Sequence, residues 1–426
     1  MNRRTLAQWL QYQQGVHARS IDLSLERVRE VAARLGLLQR RCPAAIVGGT
    51  NGKGSTALML AQLLRAGGRR VGLYTSPHLV RYNERVQIDG REAGDEALVG
   101  AFERIEAARD AVTLTYFEYG TLAALELFRE SAVDVMVLEV GLGGRLDATN
   151  LIDADVALLC SVGMDHRDWL GDSLEQIGAE KAGIFRPGQP VVLGSPDMPQ
   201  SVWQRLRALD CTVLCAAREF SWYIEGAGYG FEPWHYRSER CALGPLAAPA
   251  LAGAVQYGNA ACALTALPFL GEAGGYERER LSQALRTLRL PGRFQIVPGE
   301  VEWILDVAHN EPAAQVLAAA LRSRPRAGRT LAVAGILADK DAAAISRALD
   351  EVIDQWVLAS VPEEPRGLSA EALAARLAPL RGTPLRESSV PAACARAREL
   401  AHPGDRIVVL GSFHVVGPAL TWLGLY

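Results

Sequence analysis

The chain has 426 residues, 49% of them hydrophobic and 22% charged, with a formal net charge of −3. That length predicts two or three domains, and the near-neutral charge gives no long-range pull toward nucleic acid or an anionic membrane, so neither is expected as a partner. The seven cysteines are odd in number with none spaced Cys-x-x-Cys, and no apolar run suits a signal peptide or a bilayer span; a reduced cytoplasmic setting is expected, without disulfides or structural zinc.

The first expected strand is "AAIVGG" (44–49), followed by the glycine turn "GTNGKGS" (49–55) and a helical period, "TALMLAQLLRAGG", that stops on a glycine pair. "RRVGLYT" follows as a strand, "FEYGTLAALELFRE" as a helix, and "VDVMVLEV", "ADVALLCSV" and "QPVVLG" as further strands. Several of these runs are apolar nearly throughout, as in parallel strands buried on both faces. Residues 220–257 break the rhythm. They are rich in aromatics, Gly and Pro and predict short antiparallel strands, with a helical stretch from Asn259. "LPGRFQIV" (290–297) reads as a connection, which places a boundary between a first domain, 1–292, and a second, 293–426. Beyond it come "VEWILDVA", the helical "AAQVLAAALRSR", then "RTLAVAGI", "QWVLASV" and "DRIVVLGS". Alternation of strand and helix predicts an α/β fold with parallel sheets. No fixed-period repeat is visible, which excludes a solenoid.

In such sheets ligands collect outside the carboxyl ends of the strands, and that is where this sequence places its chemistry. After "AAIVGG" comes the glycine turn with Lys53; after "VGLY", Thr75, Ser76 and His78; after "VDVMVL", Glu139 and then "GLGGRLDATN". Asp165 and His166 follow "ADVALLCSVGM", and Asp306, His309 and Asn310 follow "VEWIL". The turn is a variant of the phosphate-binding loop. The common form is Gly, four residues, then Gly-Lys and at once Ser or Thr, whereas here two residues separate Gly49 from Gly52 and Gly54 stands between Lys53 and Ser55. Its glycines let the backbone fold close to a polyanion, and the N–H groups opening the next helix point at it. A buried Glu139 needs a partner: either Mg²⁺, a hard cation that takes oxygen ligands, or an arginine such as Arg145. His166 and His309 read equally as structural histidines, Lys181 in "EKAGIF" as a surface lysine, and Phe117 as ordinary core. Composition and motif stop at an ATP- or GTP-dependent enzyme.

Taken together, "GTNGKGS", "TSPHLVRYNERV", "LTYFEYGTLAAL", "LEVGLGGRLDATN", "DHRDWLG", "EKAGIFRPG", "LPGRFQIV", "DVAHN" and "GSFH" occur in order through nearly the whole chain. This series resembles the bifunctional bacterial dihydrofolate synthase/folylpolyglutamate synthase family, a branch of the Mur ligases, whose phosphate loop has this shortened spacing. The resemblance implies a nucleotide-binding parallel-sheet domain and a smaller Rossmann-like α/β domain. It implies ATP held by Gly52, Lys53, Gly54, Ser55, Asn259, Arg293 and Asp306, and Mg²⁺, two ions, held by Ser76, Glu139, His166 and Lys181. Lys181 would carry a carbamate, and a monovalent cation would accompany the metal. Here bare chemistry and resemblance differ: a standard loop would put Ser55 on the metal, the family the serine of "TSPHL". Lys181, His309 and Asp306 are the implied catalytic residues. The pterin pocket would draw on Asp22, Leu23, Ser24 and Leu25 of "IDLSLERV", on Thr115, Tyr116, Phe117 and Glu118, and on Arg145, Leu146, Asp147 and Ala148.

The implied activity is ATP-dependent joining of L-glutamate to dihydropteroate and to reduced folates by a monomer. Two positions depart from the family pattern: Ser24 stands where glycine is expected, and Glu311 intervenes between "AHN" and Pro312. The competing enzyme is another Mur-type ligase acting on a cell-wall nucleotide precursor. That kind carries a further N-terminal domain, whereas this chain reaches its phosphate loop by residue 49. A nucleotide-gated switch without chemistry would leave Glu139, His166, Lys181 and Asp306 with no common purpose.

Overall fold

A computed structural model describes residues 3–226, 231–271, 277–324 and 327–426. The first sheet contains β1 (Ala44–Gly48), β2 (Val71–Tyr74), β3 (Val86–Ile88), β4 (Arg91–Glu92), β5 (Val135–Glu139), β6 (Val156–Leu159), β7 (Pro190–Leu193) and β8 (Thr212–Cys215). Its order is β4-β3-β2-β5-β1-β6-β7-β8, parallel from β2 to β8, with β3 and β4 added antiparallel at one edge. A small antiparallel sheet follows, made of β9 (Phe220–Ile224), β10 (Trp234–Ser238) and β11 (Ala242–Leu246), as the aromatic-rich segment predicts. The last sheet joins β12 (Gln295–Val297), β13 (Glu302–Leu305), β14 (Thr330–Ala334), β15 (Gln355–Ala359), β16 (Leu385–Glu387) and β17 (Arg406–Leu410) in the order β12-β13-β17-β14-β15-β16.

The near-continuous apolar strands are explained by burial on both faces. In β1, Ala44 and Ile46 join one hydrophobic cluster while Ala45 and Val47 join the cluster on the opposite face. In β17, Val408 and Leu410 split from Ile407 and Val409 in the same way. Helices Asp95–Arg109 and Tyr116–Glu130 cover one face of the first sheet; Lys53–Ala66 and Val255–Ala266 pack on each other over the other. The segment expected to be a bare connection is partly strand: Gln295–Val297 pairs antiparallel with β13. A three-residue edge strand is too short for a period to reveal it.

The two large sheets meet through side chains. Leu79, in the loop after β2, packs against the core of the last sheet, and a Cβ on Gly417 would lie 2.2 Å from the Leu79 carbonyl oxygen. The Tyr426 hydroxyl donates to Glu84 at 2.7 Å.

Candidate functional site

The glycine turn leaves β1 and enters helix Lys53–Ala66. Gly49 and Gly52 have φ of +144° and +87°, and a Cβ on Gly52 would lie 2.9 Å from Asn259 Oδ1. Both conditions exclude a side chain there. Lys53 Nζ folds back to donate to the Gly49 and Thr50 carbonyls at 2.9 and 3.1 Å. Lys181 is not on the surface: it is 4% exposed, and its Nζ donates to the same Gly49 carbonyl at 3.0 Å. Burial, reinforced by the Lys53 charge, lowers the Lys181 ammonium to about 7. Gly49, Thr50, Lys53, Asp165, His166 and Lys181 line one small cavity.

Glu139 ends β5 beneath this turn. Its carboxylate accepts the Ser76 N–H at 3.1 Å and lies 3.4 Å from where a Cβ on Gly54 would stand. Burial raises its pKa, with Lys53 pulling the other way. Arg145 is not its partner, since it is exposed and pairs with Glu180 at 2.8 Å; the arginine whose charge reaches Glu139 is Arg293. Among the described residues no three His, Cys, Asp or Glu side chains form a metal cage. A cation carried by a nucleotide keeps phosphate oxygens and water and takes only one or two protein carboxylates. Glu139, a fully desolvated carboxylate with a single backbone donor, fits that part, with the Ser76 main chain against it. His166 adopts a left-handed backbone at φ 51°, and burial lowers its imidazole to about 3, so it offers a neutral nitrogen.

From the second sheet, Asp306 leaves β13 and accepts the Phe294 and Ala308 N–H groups, each at 2.8 Å. Arg293 lies with its guanidinium 5.1 Å from the Phe413 ring, within electrostatic reach of both Asp306 and Glu139. His309 Nδ1–H donates to the Val307 carbonyl at 2.7 Å, which leaves Nε2 directed toward Asp165 at 3.6 Å. Asn310 caps helix Glu311–Ser323, with Pro312 in its first turn, so the extra Glu311 simply opens that helix.

On the expected pterin side, Thr115 and Glu118 form a reciprocal capping box at the start of helix Tyr116–Glu130. Arg27 ties Glu118 to Asp22, reaching their carboxylates at 3.3 and 3.2 Å, and His17 Nε2 lies 3.0 Å from Asp22. Phe117 presses on Gly141, where a Cβ would come within 2.6 Å of the ring. Asp147 is fully engaged, accepting Gly141 and Leu142 N–H on Oδ2 and the Thr149 N–H and hydroxyl on Oδ1; it shapes the glycine-rich loop. Leu146 is half-buried and Ala148 buried beside it. Ser24 has no left-handed backbone and its hydroxyl accepts the Glu26 N–H at 3.2 Å, so this position does not demand glycine. Leu23 and Leu25 are half-buried next to it.

Sequence reasoning missed what links the two sheets. Asp165 accepts Lys340 Nζ at 2.6 Å and Asn310 Nδ2 at 2.9 Å, and Asn51 and Asn310 exchange side-chain amide bonds at 3.0 and 3.1 Å. Asp165 and Asn310 were visible at strand exits without a role. Lys340 follows β14, so the strand-exit rule, applied once more in the second half, would have found it.

A glycine turn over a buried lysine at the exit of one parallel sheet is faced by polar exits of a second, and both halves match Mur ligase domains. The Mur ligase middle domain matches residues 47–204, and the Mur ligase glutamate ligase domain matches residues 292–413. The chain is 44% identical over 413 residues to the dihydrofolate synthase/folylpolyglutamate synthase of Escherichia coli strain K12, covering 96% of this chain and 94% of that one. It is 38% identical over 433 residues to the protein of the same name from Haemophilus influenzae, covering 96% of each. In structure it is similar to E. coli FolC in complex with DHPP and ADP, with a TM-score of 0.92 and 42% identity, over 99% of this chain and 98% of that one. A bifunctional folylpolyglutamate synthase/dihydrofolate synthase with Mn, AMPPNP and L-glutamate bound gives a TM-score of 0.90 at 42% identity, over 99% and 98% of the two chains. The chain belongs to the dihydrofolate synthase/folylpolyglutamate synthase family.

Proposed function

We propose that this chain is an ATP-dependent ligase that joins L-glutamate to dihydropteroate, giving dihydrofolate, and to reduced folates, giving folylpolyglutamates. The observation that carries the reading is the convergence of the Gly52–Lys53 turn, buried Glu139 and buried Lys181 with Arg293, Asp306 and His309 from the second sheet. The division of labour is 1–292 for nucleotide and pterin and 293–426 for closing over them, acting as a monomer in the cytoplasm. No described helix is long and apolar enough to cross a membrane.

A carboxylate is a poor acyl donor because oxide would have to leave. Its oxygen attacks the γ-phosphorus of ATP, the bond to the β-phosphate oxygen breaks, and ADP departs from an acyl phosphate. The amino nitrogen of glutamate, having lost its proton, then attacks the acyl carbon. Inorganic phosphate leaves with the electron pair of the breaking C–O bond. Phosphoryl transfer is mostly positioning and charge neutralisation. Gly52, Lys53, Gly54 and Ser55 supply the phosphate cradle, Asn259 braces Gly52, and Arg293 adds charge from the other domain. Asp306 and His309 position nucleotide and glutamate, and closure of the sheets shields the acyl phosphate from water.

When bound, Mg²⁺ neutralises the phosphate oxygens; Ser76, Glu139 and His166 would hold one ion and a carbamylated Lys181 a second, with a monovalent cation nearby. Phe117 supplies a flat face for the pterin, in a pocket completed by Asp22, Leu23, Ser24, Leu25, Thr115, Tyr116, Glu118, Arg145, Leu146 and Ala148, with Asp147 holding its floor.

The test is phosphate release from Mg·ATP with dihydropteroate or tetrahydrofolate, each with and without L-glutamate. Glutamate-dependent release with both acceptors is expected. Release with tetrahydrofolate alone would remove the dihydropteroate half of the reading, and none with either would sink it.

A further inference from the structure

The loop that offers Ser76 to Glu139 ends in a cation for which the described residues supply no counter-charge. Arg85 closes the turn Tyr82–Arg85 and is only 9% exposed. Its Nε donates to His78 Nδ1 at 2.8 Å, and its guanidinium lies 5.4 Å from the ring centres of both Tyr82 and Tyr116. Among the described residues no carboxylate lies in ion-pair range of it, and the one other side chain it engages through a hydrogen bond is the neutral Tyr74 hydroxyl. Glu84, next in sequence, is committed elsewhere: it accepts the Leu79, Val80 and Arg81 N–H groups and the Tyr426 hydroxyl. His78 accepts the Arg85 Nε–H on Nδ1, and an imidazole supplies no negative charge.

Two more donors gather at the same place. The Tyr82 hydroxyl is buried without a hydrogen-bond partner, and the equally buried Tyr74 hydroxyl has only Thr121 and Arg85 as polar neighbours. Both converge on Gly120, where an added Cβ would lie 2.8 and 2.7 Å from them. A buried guanidinium is costly without an anion, and buried hydroxyls are costly without an acceptor. A guanidinium fork beside phenol donors matches the planar, two-oxygen geometry of a carboxylate.

We propose that Arg85, with the Tyr74 and Tyr82 hydroxyls, receives the α-carboxylate of a glutamate unit. The inference rests on the ligase reading above. Within it the phosphates belong to the glycine turn, and the carboxylate of dihydropteroate must face Lys53 to be phosphorylated. Tyr74 and Tyr116 adjoin Phe117 on the pterin side, where the acyl donor binds, with Tyr74 5.9 Å from the Phe117 ring. An anion bound there comes either from the incoming glutamate or from the tail of a bound folate; the chemistry is the same, and kinetics separates the two.

The experiment measures phosphate release by the full chain, by R85Q and R85K, and by Y82F, which removes only a hydroxyl. L-Glutamate is varied at fixed dihydropteroate and at fixed tetrahydrofolate, and each of those two substrates is varied at fixed glutamate. Loss of a charge-assisted pair should raise one KM by about ten- to a hundredfold in R85Q, less in R85K and Y82F, with the KM for ATP within about twofold of wild type. A rise for glutamate with either acceptor assigns the site to the incoming amino acid. A rise for tetrahydrofolate, with dihydropteroate unaffected, assigns it to the folate tail. Unchanged KM values for both, or an equal loss of kcat with every substrate, would overturn the proposal. If R85Q fails to fold, R85K and Y82F decide by the same criteria. An unaltered chain without glutamate-dependent release would overturn the ligase reading itself, and this inference with it.

Discussion

Two ammonium groups converge on one carbonyl oxygen: Lys53 and Lys181 approach Gly49 O at 2.9 and 3.0 Å. Only Lys53 has an exposed route to a phosphate. Lys181 is buried, and its depressed pKa of about 7 leaves a large neutral fraction at neutral pH, the form that reacts with CO₂. We expect enzyme stripped of CO₂ to lose activity and regain it with bicarbonate. Recovery should slow about tenfold for each pH unit below 7, because protonation removes the reactive amine; ¹³C-bicarbonate labelling reads the carbamate directly. Lys53→Ala should keep the fold and lose on the order of 10²–10³ in turnover, the scale of one pre-organised charge stabiliser. Two histidines make the opposite kind of prediction. His78 and His166 are lowered by burial to about 4 and about 3, so the unfolded chain takes up their protons first as pH falls below about 6.5. Native stability should therefore drop from pH 7 to 5.5, by up to about 1 kcal/mol per histidine. A melting temperature that does not move over that range would refute the buried neutral state, and His78→Gln should remove part of the slope.

At the scale of elements, helix Tyr116–Glu130 shows how one residue serves two levels. Thr115 Oγ1 accepts the Glu118 N–H at 3.2 Å, while Glu118 accepts the Thr115 N–H at 2.7 Å and reaches Arg27. Thr115→Ala should cost about 1 kcal/mol of stability, as loss of an N-cap does. The freed Glu118 would also loosen the segment carrying Asp22, so weaker dihydropteroate binding should accompany the lower melting temperature. What was legible in the sequence follows from the same physics. β1, β5, β6 and β17 are buried on both faces and read as apolar runs, and their exits led to Lys53, Glu139 and His166. β3, β4 and β16 are strands of two or three residues at the margins of their sheets, set by pairing with a neighbour, and nothing in their own pattern announces them. Phe117 looked like ordinary core because its distinguishing feature, the Gly141 backbone against its ring, lies far away in sequence. Lys181 looked like a surface lysine for a comparable reason: the helix that carries it says nothing of the phosphate turn packed on its end.

For the molecule as a whole, the decisive contact is the one joining the two sheets. Asp165 and Lys340 are 6% and 5% exposed and 2.6 Å apart, and Asn310 completes a link from Asp165 to Asn51 in the phosphate turn. A buried pair is not in itself strong support for a fold, because desolvation offsets much of the attraction. Removing one partner, however, leaves an uncompensated charge at a cost of about 3–5 kcal/mol. Lys340→Met should therefore weaken the contact between the sheets and separate Asp306 and His309 from the glycine turn. The expected result is a larger radius of gyration in solution scattering and a fall in kcat that exceeds any change in the KM for ATP. Replacing Asp165 by Asn in the same chain removes the orphaned charge, so the double variant should recover much of the lost stability; a double-mutant cycle measures that coupling. Acid should act through the same carboxylate. Burial pushes Asp165 up, but hydrogen bonding to His309, with His166 and the Lys340 ammonium beside it, outweighs that and holds it far below the ordinary carboxylate range. Its stabilising contribution is then complete above about pH 4 and is lost only as pH falls below that. Compactness should accordingly stay constant from pH 6 to 9 while turnover follows other groups. A Lys340→Met chain that remains as compact and as active as the parent would show that the sheets are held together elsewhere, by Leu79 and the Tyr426–Glu84 contact.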